Sequence, residues 1–295
     1  MEQRAELGEF LRSRRARLQP EDVGLTVYGG RRRVPGLRRE ELAQLAGVSV
    51  AYYTRLEQGQ SQNASDAVLD ALARVLRLDE DERAHLHGLA QPTRPTRRRA
   101  RPERLRPAMR HMIESFDSVP ALVIGRRCDV LAWNRMAHAL LAAHLDFESP
   151  HRPADRPNLV RMTFLDPHYR DLYADIKRKA SDGVAYLRLT AGRYPDDPQL
   201  TALIGELTVH SQEFAALWAA HPVRDCVYAT RELRHSLVGP LTLTEQLMVL
   251  PDDPGQRVVV LTAEPGSPSA AALQLLDGLS AETGSGARTG ERVSL

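Results

Sequence analysis

The chain has 295 residues, a net charge of +2 and a hydrophobic fraction of 42%. This length suits roughly two domains, and no apolar run approaches the ~20 residues of a membrane-spanning helix, so we expect a cytoplasmic protein without a membrane segment. The two cysteines, Cys128 and Cys226, belong to no CxxC motif or His/Cys cluster, so we expect neither a disulfide framework nor a metal site.

The positive charge is concentrated in one short stretch. Residues 91–110 hold eight arginines, one glutamate and four prolines, which is typical of a linker. We therefore predict a helical domain over residues 1–90, an Arg/Pro-rich linker over 91–106 and a second domain over 107–278. The last residues, 279–295, are rich in Gly, Ser, Thr and Arg, and we expect a disordered tail there.

The N-terminal domain begins with a helix predicted from Leu7 to Leu18, followed by a long loop. The apolar spacing predicts four more short helices, and Ser65 and Asp79 are suitable N-caps for the last two. Five short amphipathic helices around one small core make an all-α domain. The N-terminal part of the fold is therefore expected to be a five-helix module.

The second and third of these helices form a helix-turn-helix pattern. Leu42 and Ala46 share a face before the turn, and Tyr53 and Leu56 share a face after it. Gly47 can take the positive φ that a sharp helix exit needs, and Ser49 is a suitable N-cap for the second helix. In such a unit the second helix enters the DNA major groove. A surface helical hairpin is the alternative interpretation.

The side chains that point outward from this unit are suited to DNA. Ser, Thr, Arg and Gln can hydrogen-bond to base edges, while Ala and Val can pack against a thymine methyl group. Arginines that directly precede the unit would bind phosphates. The predicted DNA-contacting residues are Arg31, Arg32, Arg33, Arg39, Gln44, Ser49, Val50, Ala51, Thr54, Arg55 and Gln58.

The second domain mixes strands and helices. Apolar runs at 121–125 and 128–133 predict two strands joined by a hairpin turn, and Asn134 is expected to cap the next helix. Later helices are predicted over 169–193, 197–218 and 269–279, with strands near 223–229, 233–250 and 257–263. The fold class is therefore multidomain, with an all-α domain followed by an α+β domain that contains an antiparallel sheet.

Two groups of motifs resemble a known family. LAQLAGVS at 42–49 and YTRLEQG at 53–59 are similar to the Cro/repressor-type (XRE) helix-turn-helix. Together with RRRVPGLRREELA at 31–43, VLAWN at 130–134, VAYLR at 184–188 and LTAEPGS at 261–267, they resemble MmyB-like transcriptional regulators. The resemblance implies a PAS-like second domain that holds a small hydrophobic, fatty-acid-like ligand.

Aromatic side chains of the second domain could line such a ligand cavity. An acidic ligand would also need a buried cation, because an unpaired buried charge is costly. Arg188 is the first choice for that cation, and an internal salt bridge is its alternative role. The candidate ligand contacts are Trp133, Phe164, Tyr186, Arg188, Phe214, Trp218, His221 and His235.

These patterns predict a sequence-specific DNA-binding regulator that senses a small hydrophobic ligand. We expect its partners to be that ligand and double-stranded DNA. The protein is expected to bind a palindromic operator as a homodimer. The sequence contains no nucleophile elbow, phosphate loop or dinucleotide fingerprint. We therefore expect that the protein is not an enzyme and has no catalytic residue and no cofactor.

Two other classes of function stay open. The second domain could be only a dimerisation or protein-interaction module of a constitutive regulator. Alternatively, the chain could bind nucleic acid without sequence preference through its arginine-rich linker, although the charge balance of residues 1–90 argues against this.

Overall fold

The computed structural model describes residues 2–25, 36–60, 64–90, 103–221, 228–251, 253 and 255–290. The predicted phosphate contacts Arg31, Arg32 and Arg33, and residues 91–102 of the linker, lie outside this set. The chain forms two compact units. Unit 1 comprises residues 1–101, 184–202 and 215–225, and unit 2 comprises residues 102–183, 203–214 and 226–295. Within the described residues no helix is both long and apolar enough to cross a membrane.

The N-terminal part of unit 1 contains the five predicted helices. They are α1 (Glu2–Arg17), α2 (Arg39–Leu45), α3 (Val50–Glu57), α4 (Asp66–Val75) and α5 (Glu80–Ala90), with a short 3₁₀ helix at Pro20–Val23. The predicted N-caps are present, because the side chains of Ser49, Ser65 and Asp79 each accept a hydrogen bond from the backbone N–H three residues ahead. Helix α1 begins five residues earlier than the sequence pattern predicts.

The core of unit 1 is a cluster of buried side chains, most of them leucines, with two aromatic side chains among them. Its buried members include Phe10, Leu42, Tyr53 and Leu72, which come from four different helices. One further member, Leu189, lies far outside the first 90 residues. The predicted limit of the first domain therefore differs from the compact unit, which also recruits residues 184–202 and 215–225.

Unit 2 is built on a five-stranded antiparallel sheet with the order β2-β1-β5-β4-β3. The strands are β1 (Ala121–Ile124), β2 (Val130–Trp133), β3 (Tyr228–His235), β4 (Gly239–Val249) and β5 (Arg257–Thr262). The helices after the first domain are α6 (Pro107–Glu114), α7 (Arg135–Leu141), α8 (Leu159–Leu165), α9 (Pro167–Leu172), α10 (Ile176–Arg193), α11 (Pro198–His210), α12 (Gln212–Ala219) and α13 (Pro268–Gly290). The predicted fold class is confirmed.

Two long predicted helices are each divided in the structure. Between α9 and α10, Tyr173 pairs with Leu233 of β3, and the Ala174 N–H donates to Glu232 O at 2.9 Å, so this stretch bonds to the sheet instead of to a helix. Between α11 and α12, the Ser211 hydroxyl accepts from the Phe214 N–H at 3.1 Å and caps a new helix.

The second domain differs from the prediction at two further places. Helix α8 was not predicted; Asn158 caps it by accepting from the Arg161 N–H at 2.9 Å. Helix α13 extends from Pro268 to Gly290, whereas the predicted helix ends at residue 279 and is followed by a predicted disordered tail over 279–295. That stretch contains no proline, so its backbone hydrogen bonding is not interrupted. Residues 291–295 lie outside the described set.

Gly8 allows α1 and α3 to pack backbone to backbone. A Cβ atom at Gly8 would lie 2.2 Å from the carbonyl oxygen of Glu57, so Gly8→Ala should force the two helices apart. We expect a loss of roughly 1–3 kcal/mol in the free energy of unfolding, measured by urea denaturation. Gly88→Ala is the matched control, because a Cβ there meets no atom within 4 Å. An equal effect of both substitutions would contradict the close packing of α1 on α3.

Candidate DNA-reading helix and ligand-binding region

The turn between α2 and α3 has the geometry of a tight helix-turn-helix. Gly47 takes a φ of +67°, and the Val48 N–H donates to Ala43 O at 3.0 Å. Ala43 is fully buried, and its side chain is a single methyl group, so it leaves room for the next helix to approach closely. The Ser49 hydroxyl then accepts from the Tyr52 N–H at 3.1 Å and starts α3.

A buried charge cluster holds α3 in place. The carboxylate of Glu57, which is 1% exposed, accepts hydrogen bonds from Arg15 Nε at 2.6 Å, Arg39 Nε at 2.6 Å and the Tyr53 hydroxyl at 2.8 Å. Arg15 also donates from Nη1 to Leu37 O at 2.6 Å. Burial opposes ionisation of Glu57, but the hydrogen bonds from Arg15, Arg39 and Tyr53 outweigh it and hold the pKa of Glu57 below its usual value.

This cluster leaves one side of α3 open to solvent. The side chain of Arg39 is partly exposed but is already bound to Glu57, so part of its role is structural. Thr54 is half-buried. The other predicted DNA contacts in the described part of the chain are exposed, namely Gln44, Ser49, Val50, Ala51, Arg55 and Gln58. The helix-turn-helix thus brings the predicted base-reading residues together on α3 and the end of α2.

Unit 2 contains four of the predicted ligand contacts. Phe164 and Phe214 are buried and meet edge to face, with ring centroids 5.1 Å apart. Trp133 is buried, and its Nε1 donates to Phe147 O at 2.8 Å. His235 is buried, with Nε2 3.1 Å from Ala139 O.

The other four predicted ligand contacts lie in unit 1. The guanidinium of Arg188 stacks on the Trp218 ring at 3.8 Å from its centroid and lies 3.6 Å from Glu6 Oε1, so Arg188 forms the internal salt bridge that was its alternative role. His221 Nε2 lies 3.3 Å from Glu9 Oε2, and Tyr186 is half-buried. The predicted set is therefore divided between the two units.

Asn134 caps α7, as predicted. Its Oδ1 accepts from the Ala137 N–H at 2.8 Å and from the Ala121 N–H at 3.1 Å, and its Nδ2 donates to Val119 O at 2.7 Å. Its side chain thus joins the start of α7 to β1.

A buried ion network in unit 2 was missed by the sequence analysis. Glu245 pairs with Lys179 at 2.7 Å and with Arg231 at 2.6 Å, and Arg231 also lies 2.9 Å from Asp182. Burial opposes ionisation of Glu245, but the two cations outweigh it and lower the pKa of Glu245 to about 2. Strand alternation could have revealed the network, because Arg231 precedes Leu233 by two positions on the inward face of β3.

Two histidines of unit 1 are buried beside cations. Burial, followed by the charges of Arg188 and Arg14, lowers the pKa of His85 to about 3 and that of His221 to about 4. Both histidines are therefore neutral in the folded protein near neutral pH.

Comparison with protein-family models agrees with this architecture. A model described as a helix-turn-helix domain matches residues 6–86, and a model described as an MmyB-like transcription regulator ligand binding domain matches residues 105–276. No curated protein matches the chain. A helix-turn-helix followed by a ligand-binding domain defines a DNA-binding transcription regulator. The chain belongs to the MmyB-like transcription regulator family.

Removing the charge of Glu57 should strongly destabilise the protein. Glu57→Gln leaves Arg15 with an uncompensated buried charge, so we expect a loss of about 3–5 kcal/mol in the free energy of unfolding. Glu206→Gln is the control, because the pair of Glu206 with Arg161 is partly exposed and should contribute below about 1 kcal/mol. A loss for Glu57→Gln no larger than that of the control would show that the cluster does not stabilise the fold. Urea denaturation measures both.

Acid should destabilise the protein through His85 and His221. In the unfolded chain a histidine takes up a proton below a pH of about 6.5, whereas these two take one up only near a pH of about 3 and about 4 in the folded state. The free energy of unfolding should therefore fall as pH decreases below about 6.5, by about 1 kcal/mol per pH unit for each histidine. His221→Asn should reduce that slope, and the exposed-site control His111→Asn should not. An unchanged slope for His221→Asn would contradict the assignment.

Proposed function

We propose that this regulator reads a specific operator through α3 and that its ligand-binding domain senses a small hydrophobic, fatty-acid-like molecule. The observation that carries the DNA-binding part is the arrangement of α3, whose one side is locked by the buried Glu57 cluster while the other presents Arg55 and Gln58 to solvent. A rigid helix with hydrogen-bonding side chains on its free face is what major-groove recognition requires. Such a protein would act in the cytoplasm.

The ligand part of the proposal draws on the contents of unit 2. Phe164 and Phe214 supply buried aromatic surface, and Trp133 and His235 are buried in the same unit. Because Arg188, Trp218 and His221 contact each other or residues of α1, we assign the ligand contacts to the unit 2 residues. The role of the protein would then be regulation without catalysis.

A homodimer on a palindromic operator is part of the same proposal. A single helix-turn-helix covers only a few base pairs, and two copies one helical turn apart read a longer site. Analytical ultracentrifugation of the full chain with a palindromic operator and with one half-site tests this. We expect two copies on the palindrome, and one copy on each DNA would contradict the dimer.

Arg55 should contribute to sequence choice. Arg55→Ala should cost roughly 1–3 kcal/mol of DNA-binding free energy and relax the preference at one base pair. Arg32→Ala, in the predicted phosphate-binding run, should instead weaken binding to all sequences alike and reduce the salt dependence. Arg74→Ala, at an exposed position of α4, is the control. Fluorescence anisotropy with operator variants measures each effect. Loss of only non-specific affinity in Arg55→Ala would contradict the proposed reading face.

Native mass spectrometry of the purified full chain, followed by denaturation and extraction, tests the ligand. We expect a bound fatty-acid-like molecule, and we expect added dodecanoate to bind to protein freed of it. Phe214→Leu removes the edge-to-face contact with Phe164 and should weaken dodecanoate binding by about tenfold, because an aromatic pair and its burial contribute about 1–2 kcal/mol. The control Phe147→Leu alters an exposed aromatic residue. A ligand-free dimer that does not bind dodecanoate would favour a protein-interaction module.

A further inference from the structure

Two opposite faces of helix α1 each contact other residues of unit 1. Gly8, Leu11 and Arg15 follow each other at three- or four-residue steps and share one face, whereas Glu6 and Glu9 lie on the other. Because both faces make specific contacts within unit 1, any shift of α1 must change the contacts on both sides.

The first face of α1 packs on the DNA-reading helix. Gly8 lies against the backbone of Glu57, and Arg15 donates from Nε to the Glu57 carboxylate at 2.6 Å. Glu57 is the last residue of α3 and follows Arg55 by two positions. The position of α1 therefore determines where the end of α3 lies.

The second face of α1 packs on residues from the region that the ligand-binding family model matches. Glu6 lies 3.6 Å from Arg188, and Glu9 lies 3.3 Å from His221. Arg14, which lies between the two faces, donates to the backbone oxygen of His221 at 2.5 Å. Residues 184–202 and 215–225 thus belong to the same compact unit as the helix-turn-helix, although the ligand-binding model spans 105–276. We call this set of contacts the α1 dock.

Forming the α1 dock buries charged and polar atoms, which costs free energy. Arg14 and Arg188 are each 2% exposed, and within the described residues Arg188 Nε and His221 Nδ1 find no hydrogen-bond partner. Burying such atoms without partners costs free energy. A contact that combines one ion pair, between Glu6 and Arg188, with unsatisfied polar atoms can be made or released for a small net change in free energy. Such a contact suits a regulatory element better than a permanent core.

Helix α10 contributes to this dock and to the ligand-binding unit. Its first half belongs to unit 2, where Lys179 joins the buried ion network through Glu245. Its second half belongs to unit 1 and carries Arg188 and Leu189. A ligand that alters the start of α10 therefore acts on the same helix that holds α1.

We propose that the α1 dock couples ligand binding to DNA reading. Docking of Glu6 and Glu9 on Arg188 and His221 positions α1, and α1 positions α3 through Glu57. The ligand would act by binding more tightly to one docking state than to the other, which is the only way a ligand can shift such an equilibrium. This inference rests on the proposed function. Arg188 is a positioning residue here, because it acts on DNA only through α1.

Hydrogen exchange of the ligand-free full chain tests the positioning role. In Arg188→Met we expect amide exchange in residues 8–17 and 50–57 to accelerate by about threefold or more, with the sheet of unit 2 unchanged. Arg188→Lys should restore part of the protection. The matched control is Arg161→Met, which removes a double hydrogen bond to Glu206 in unit 2. Changes confined to α10 and α12, or equal changes in the control, would overturn the proposal.

Glu6→Gln gives a milder second variant if Arg188→Met does not fold. Dodecanoate is the probe, and DNA affinity is measured with and without it. We expect Glu6→Gln to bind dodecanoate like the wild type but to show an effect of dodecanoate on DNA affinity that is smaller by about threefold. An equal effect in both proteins would overturn the coupling. If the wild type does not bind dodecanoate, the proposed ligand class is wrong, and the hydrogen-exchange result still decides whether the α1 dock positions α3.

Discussion

The carboxylate of Glu57 is the constraint on which the DNA-binding part of the protein depends. It is buried at the end of α3 and receives hydrogen bonds from α1, from the start of α2 and from its own helix. A buried charge is tolerated only when it is fully paired, so three helices must keep their relative positions for Glu57 to remain satisfied. This requirement makes the small domain rigid where apolar packing alone would permit several similar arrangements of short helices.

Unit 2 uses the same principle at a different place. Glu245 on β4 is held between Lys179 of α10 and Arg231 of β3, and Arg231 also binds Asp182. Because successive strand residues alternate between the two faces, a shift of one position would expose these charges to the wrong side of the sheet. The network therefore specifies the register of β3 on β4 and the position of α10 on these strands.

Each of these two charge clusters includes a residue of a helix that the proposed coupling uses: Arg15 of α1 binds Glu57, and Lys179 of α10 binds Glu245. Helix α1 contacts α3 on one face and residues of the family's ligand-binding region on the other. The division of the chain into compact units therefore differs from the division into family domains. Part of the sequence that the ligand-binding family model matches therefore belongs to the same compact unit as the helix-turn-helix, and the coupling proposed above uses these shared residues.

The sequence by itself determined the features that depend on neighbouring residues. The five N-terminal helices, the caps at Ser49 and Asn134, the positive φ of Gly47 and the α+β class of the second domain follow from periodicity and local hydrogen bonding. Only the tertiary structure decided how distant charges pair. From the sequence alone, Arg39 and Arg188 cannot be distinguished from arginines that contact DNA or a ligand. Their carboxylate partners, Glu57 and Glu6, lie 18 and 182 positions away in the chain. The breaks near Tyr173 and Ser211 also depend on contacts that apolar spacing does not encode.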